Sequence, residues 1–129
     1  MIEHVSVPVK SAAKAKKLYE RALKPLGYQL TQDYDDAAGF KEGGHTSFWI
    51  VKHAKVAPMH VALRAKSRKA VDDFYRIARE HGAKDNGKPG YRDYSPGYYA
   101  AFILDADGNN IEAVWFDPKK EKRVRKRRA

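Results

Sequence analysis

The strongest constraint on this chain is internal: its first half recurs in its second at a fixed offset of 56 positions. His4-Val5-Ser6-Val7-Pro8-Val9-Lys10-Ser11 aligns with His60-Val61-Ala62-Leu63-Arg64-Ala65-Lys66-Ser67. The same offset carries Leu18-Tyr19 onto Phe74-Tyr75 and Ala22 onto Ala78 without a gap. Two copies are too few for a solenoid, which needs about three repeats to bury a continuous core. In 129 residues they instead predict one domain of two related modules, with any ligand site where the modules meet. The repeat also makes His4 and His60 equivalent.

Local pattern fills in each module. Val5, Val7 and Val9 alternate with polar residues across positions 2–9, the period of a half-buried strand. Ser11 is placed to cap a helix whose apolar face is Ala12, Ala15, Leu18, Tyr19, Ala22 and Leu23, and Pro25 and Gly27 end it. Strands are expected at 28–31, 38–41 and 46–52. The second half repeats the order with a strand at 59–65, a Ser67 cap, and a helix carrying Val71, Phe74, Ile77 and Ala78. His81-Gly82 closes that helix, with glycine at the left-handed position. A loop rich in Gly, Pro and Tyr is expected over 86–97. Strands at 98–104 and 110–116 then flank an Asp-Gly turn at 105–109. Each module thus reads βαβββ, with module one at 1–55 and module two at 56–118. The fold class is α+β with mixed sheets, not a doubly wound parallel sheet.

Charge divides the chain more sharply than its total shows. Residues 119–129 hold eight Lys/Arg against one Glu, a net of +7, and the remaining 18 basic and 15 acidic residues leave only +3. Such a run buries no apolar surface, so it is expected to be a disordered basic tail open to non-specific polyanion contact. There is no cysteine, which excludes disulfides, thiolate ligands and a cysteine nucleophile. No apolar run approaches the roughly 20 residues of a membrane span. The start runs straight into a strand pattern with no secretory signature, so the cytoplasm is the expected compartment.

Three residues could carry chemistry from strands. His4 lies opposite Val5, Val7 and Val9, and His60 opposite Val61 and Leu63. Glu112 lies opposite Ile111, Ala113 and Trp115. A carboxylate in the run Asn110-Ile-Glu-Ala-Val-Trp115 needs a cation, a donor or solvent, because burying it unpaired is costly. Two histidines and one carboxylate form a metal-ligand set with open positions. A strand histidine serves equally as an ordinary solvated side chain, so the pattern alone leaves both uses open.

These residues also carry a resemblance. The opening His4-Val5-Ser6-Val7, the Ser11 helix ending Leu23-Lys-Pro-Leu-Gly27-Tyr28, the run His60-Val-Ala-Leu63 and the ending Asp105-Ala-Asp-Gly-Asn-Asn-Ile-Glu112 resemble the vicinal oxygen chelate superfamily. That group includes glyoxalase I, bleomycin-resistance proteins and extradiol dioxygenases. The resemblance covers residues 1–116 and implies two paired βαβββ modules curled into a mixed-sheet cup around one divalent metal. It implies His4, His60 and Glu112 as metal ligands, Glu112 also as a catalytic residue, and a homodimer. The ion implied by such ligands is Mn, Fe, Co, Ni or Zn. Glyoxalase I adds a fourth ligand from the fourth strand. Here residues 46–51 hold no carboxylate or histidine, and His45 and His53 flank them.

Substrate contacts are expected from the loop at 87–99, where Arg92 is an anion clamp and one of Tyr98 and Tyr99 faces the cup. Trp49 is expected on its other side. The resulting expectation is a metal-dependent enzyme acting on a small molecule with vicinal oxygens. The alternative is a bleomycin-resistance type module that binds a small molecule without catalysis.

Overall fold

Both modules build the same sheet by the same path. In the computed structural model, which describes residues 1–121, β1 (Val5–Val9) runs parallel to β4 (His45–Lys52). Then β3 (Ala37–Glu42) and β2 (Gln29–Asp33) extend the sheet antiparallel, in the order β1-β4-β3-β2. The second sheet repeats this as β5 (His60–Arg64), β8 (Asn110–Phe116), β7 (Tyr98–Leu104) and β6 (Lys84–Tyr91). The fold is α+β with paired βαβββ modules, as expected. The two sheets share no strand pairing, so one chain holds two open sheets and not a closed barrel.

The helices follow their sequence signals. Ser11 Oγ accepts from Lys14 N at 3.2 Å and opens α1 (Ala12–Ala22), and Ser67 Oγ accepts from Ala70 N at 3.1 Å and opens α2 (Arg68–Glu80). Pro25 sits in a 3-10 turn, Lys24–Leu26, that ends at Gly27. Strand alternation sends Val7, Val9, Phe48 and Ile50 from the first sheet, and Leu63, Ile103, Ile111 and Ala113 from the second, into one core. Slipping a strand by one residue would turn all of these to the opposite face, so burial fixes the register. The helices α1 and α2 pack on each other and each on its own sheet. They lie between the sheets and leave the outer sheet faces uncovered by this chain.

A buried polar clip joins the modules. Asp105, 5% exposed, accepts from Tyr19 Oη at 2.7 Å, from the Asn109 side-chain amide at 2.9 Å, and from the backbone of Asp107 and Asn109. The Asn109 amide also donates to Pro8 O in β1 at 3.0 Å. The Asp-x-Asp-Gly-Asn run, read from sequence as a turn, therefore also holds module two to module one.

Three local expectations change. The loop expected over 86–97 is strand as far as Tyr91. Pro89 is tolerated there because β6 is an edge strand whose register shifts between Gly87 and Gly90, so no ladder bond needs its missing N–H. β1 begins at Val5, one residue after His4, while β4 already includes His45. Residues 118–121 form a helical turn, with Pro118 first and Asp117 Oδ1 accepting from Lys119 N at 3.0 Å. The expected disorder of 119–129 thus fails over 119–121, because Asp117 caps the turn. The rest of that expectation, at 122–129, lies outside the described residues.

Candidate functional site

The parallel pairing of β5 with β8 sets His60 opposite Asn110 and Ala62 opposite Glu112. Leu63, Ile111 and Ala113 are committed to the core. Alternation therefore places His60 and Glu112 on the uncovered face. Glu112 is nonetheless only 2% exposed, and a carboxylate so placed must be paired. Both its oxygens are. His60 Nε2 lies 2.9 Å from Oε1, and the Tyr98 hydroxyl donates to Oε2. Burial first, and then this bond to Glu112, hold the Tyr98 phenol well above its ordinary range, so it stays a donor. Asn110 shares the face, and its Oδ1 is buried without a hydrogen-bond partner among the described residues.

The His60–Glu112 spacing bears on metal binding. Two ligands at about 2.1 Å from one ion and at right angles lie about 3 Å apart. The observed 2.9 Å fits two adjacent ligands. The third expected ligand is not with them. His4 belongs to the other sheet's end, where its Nδ1 lies 2.6 Å from Glu3 Oε1 with the imidazole half exposed. Among the described residues no group of three His, Asp or Glu side chains is arranged to hold an ion. The physical reason is the helix layer, which turns the two open faces away from each other. One chain offers a two-ligand half-set, and the three-ligand set does not fit within it.

Module one has its own counterpart of this half-set. β1 and β5 are equivalent by the repeat, and Ser6 pairs with Trp49 as Ala62 pairs with Glu112. Trp49 therefore stands where Glu112 stands in module two. Its indole crosses Gly39, where an added Cβ would come to 2.7 Å from Thr46 Cγ2 and 3.0 Å from two indole carbons, so β3 needs glycine there. The place for a fourth carboxylate ligand is filled by an aromatic ring. His45 does not substitute, since its Nε2 lies 2.8 Å from the Glu3 carbonyl oxygen.

The expected substrate contacts separate. Of the tyrosine pair, Tyr98 is on the site face. Tyr99 is 3% exposed on the helix side, with its hydroxyl donating to Asp72 at 2.5 Å. Arg92 folds back on its own hairpin, donating to Gly90 O at 2.8 Å and Lys88 O at 2.7 Å while its guanidinium lies over Phe102. Its donors are spent on carbonyls of its own hairpin, so it braces the hairpin. Arg64 was missed by sequence reasoning. It is exposed on the site face, 4.9 Å above the Phe116 ring. Its signal was the strand period, since it lies two alternate positions beyond His60.

A twice-repeated sheet with the order one-four-three-two and a helix on one face defines the class. Residues 1–113 match the family model described as Glyoxalase/Bleomycin resistance protein/Dioxygenase superfamily, and the chain belongs to that superfamily. Among solved structures it is similar to a glyoxalase/bleomycin resistance protein from Albidiferax ferrireducens T118, at 26% identity and a TM-score of 0.75. That match covers 88% of this chain and 96% of the other. A glyoxalase/bleomycin resistance protein/dioxygenase family enzyme from Burkholderia phytofirmans PsJN shares the fold at 15% identity and a TM-score of 0.71, over 90% and 98% of the two chains. So does a lactoylglutathione lyase from Agrobacterium tumefaciens, at 16% identity and a TM-score of 0.67, over 89% and 92%. No curated protein matches the chain.

Proposed function

We propose that the chain is a divalent-metal-dependent enzyme acting on a small molecule with vicinal oxygens, and that it works as a homodimer. The observation that carries this reading is the buried Glu112 held by His60 at the spacing of two adjacent ligands, on a sheet face this chain leaves open. A second copy that set its first sheet against this face would bring its His4 and Trp49 to the half-set. Bound there, an ion supplies Lewis-acid polarisation of two adjacent substrate oxygens. The remaining roles belong to protein groups. His60 and Glu112 orient each other, the Tyr98 hydroxyl fixes the rotation of the Glu112 carboxylate, and Arg64 offers a bidentate clamp for an anionic group. Phe102 and Phe116 supply the apolar floor.

A binding module without catalysis is the second reading. It is favoured by the fact that Tyr98 and His60 already satisfy Glu112 without an ion.

Complementation between variants tests the proposal. His4→Ala and Glu112→Gln each remove one ligand, so each homodimer should lose tight binding of Zn, Mn, Co or Ni by calorimetry. Co-expressed as a mixed dimer, they should regain one site per dimer. A parent protein that stays metal-free, or that sediments as a monomer at micromolar concentration, would support the binding module instead.

A further inference from the structure

The repeat builds two junctions between the modules, and they differ. At one, α1 runs on into the 3-10 turn Lys24–Leu26, which packs against α2 with Leu26 buried. At the other, α2 ends at His81 and Gly82 with no such turn. A recess of about 570 Å³ remains there, between the start of α1, the end of α2 and the turn that begins at Asp105. That volume suits a small organic ligand. Its deepest lining is apolar, Ala15 and Leu18 from successive turns of α1, at 9% and 7% exposed. Its rim is cationic. Lys10, Lys14 and Lys17 are exposed, and among the described residues none has a carboxylate within 4.0 Å. The two acids beside them are engaged, Asp105 by Tyr19 and Asn109, and Asp107 by the backbone N–H of Lys10 at 3.2 Å. At the repeat offset the three lysines correspond to Lys66, Ala70 and Asp73. There Lys66 pairs with Glu42, and Asp73 pairs with Lys69 and Arg76. Unpaired cations and an unfilled apolar recess thus coincide at the junction that lacks the Leu26 turn.

We propose that this recess binds an amphipathic carboxylate, its hydrocarbon chain against Ala15 and Leu18 and its single negative head among the three lysines. The other junction shows what such a place buries when it is filled, the aliphatic side chain of Leu26. A hydrocarbon chain gains in proportion to the apolar area it takes out of water, and that gain is the same for an acid or an alcohol. The lysines supply the preference for the acid. With His81 neutral, their charges exceed those of Asp105 and Asp107 by one, which fits a monoanion and disfavours a polyphosphate. The recess shares no lining residue with the His60–Glu112 face, so its occupant is separate from any ligand bound there.

The test is a titration of the full chain in EDTA with acetate, hexanoate, octanoate and octan-1-ol, followed by calorimetry and by backbone amide NMR shifts. Octanoate should bind about 15-fold more tightly than hexanoate, because each buried CH2 is worth roughly fourfold. Acetate should not bind. The shifts should centre on residues 10–18, 81–82 and 105–107. Lys10→Gln, Lys14→Gln and Lys17→Gln combined should weaken octanoate roughly 10-fold and leave octanol as it was, and these exposed positions put little of the fold at risk. The proposal is overturned if octanoate does not saturate below about 10 mM, the weakest binding expected for a ligand of about ten non-hydrogen atoms. It is equally overturned if octanol binds as well as octanoate, or if the shifts centre on the His60–Glu112 face.

Discussion

Tyr98 and His60 touch the same carboxylate, and their removal should have opposite rank orders with and without metal. Tyr98→Phe deletes the donor to Oε2 of a carboxylate that is 2% exposed, while the ring keeps its neighbours Phe116 and Tyr94 at 5.3 and 5.1 Å. A hydrogen bond to a buried charged group contributes about 1.5–3 kcal/mol. For a domain of this size that corresponds to a fall in Tm of roughly 5–12 °C. His60 is different, because its imidazole is 53% exposed and water can take its place at Oε1. His60→Ala should therefore cost less than about 1 kcal/mol. Metal affinity reverses the order. Losing the ligand His60 should weaken binding by well over 100-fold, whereas losing an outer hydrogen bond such as that of Tyr98 costs about 10- to 100-fold. Thermal unfolding in EDTA and titration calorimetry with Zn or Mn measure the two rankings. If His60→Ala destabilises the metal-free protein as much as Tyr98→Phe, or keeps metal better, the half-set reasoning is wrong.

Three shorter predictions follow from the same geometry. Burial first, and then Asp105, hold the Tyr19 phenol well above the ordinary tyrosine range. Above pH 10 the unfolded chain therefore loses this proton while the native one keeps it. Stability should fall by about 1.4 kcal/mol per pH unit for this group, and urea unfolding of Tyr19→Phe should show that slope reduced. Asn110→Leu removes the buried unpartnered Oδ1 and should raise metal-free stability by about 1 kcal/mol; a loss of stability in EDTA would show that the amide has a partner. Isomerisation of a glutathione hemithioacetal should be weak or absent, because Trp49 stands at the counterpart of Glu112, and robust turnover in a coupled assay would refute that.

The fold was legible because burial and capping are local signals. The valine alternation, the Ser11 and Ser67 caps and the Gly27 and Gly82 stops each act through neighbours a few residues away. β6 was hidden because Gly87, Pro89 and Gly90 read as breakers, and only pairing with β7 at the sheet edge makes them strand. The candidate site was half legible. His60 and Glu112 share a face by period and pairing, so sequence could bring them together. His4 matched His60 in the repeat, but equivalence between modules is not proximity, and the helix layer between the sheets is a tertiary fact. Arg92 looked like a clamp because its charge was visible and the hairpin carbonyls that take its donors were not.

The register that equates Trp49 with Glu112 has a consequence for direction. A duplicated module that kept the same residue at both places would present a ligand with two identical ends, and the ligand could lie either way round. Here one half offers an acid and the other a flat apolar ring. In the homodimer proposed above, a molecule spanning one copy's Glu112 and the other copy's Trp49 would meet opposite chemistries at its two ends, so it would have one way to lie. That handedness would come from a single position at which the two halves differ.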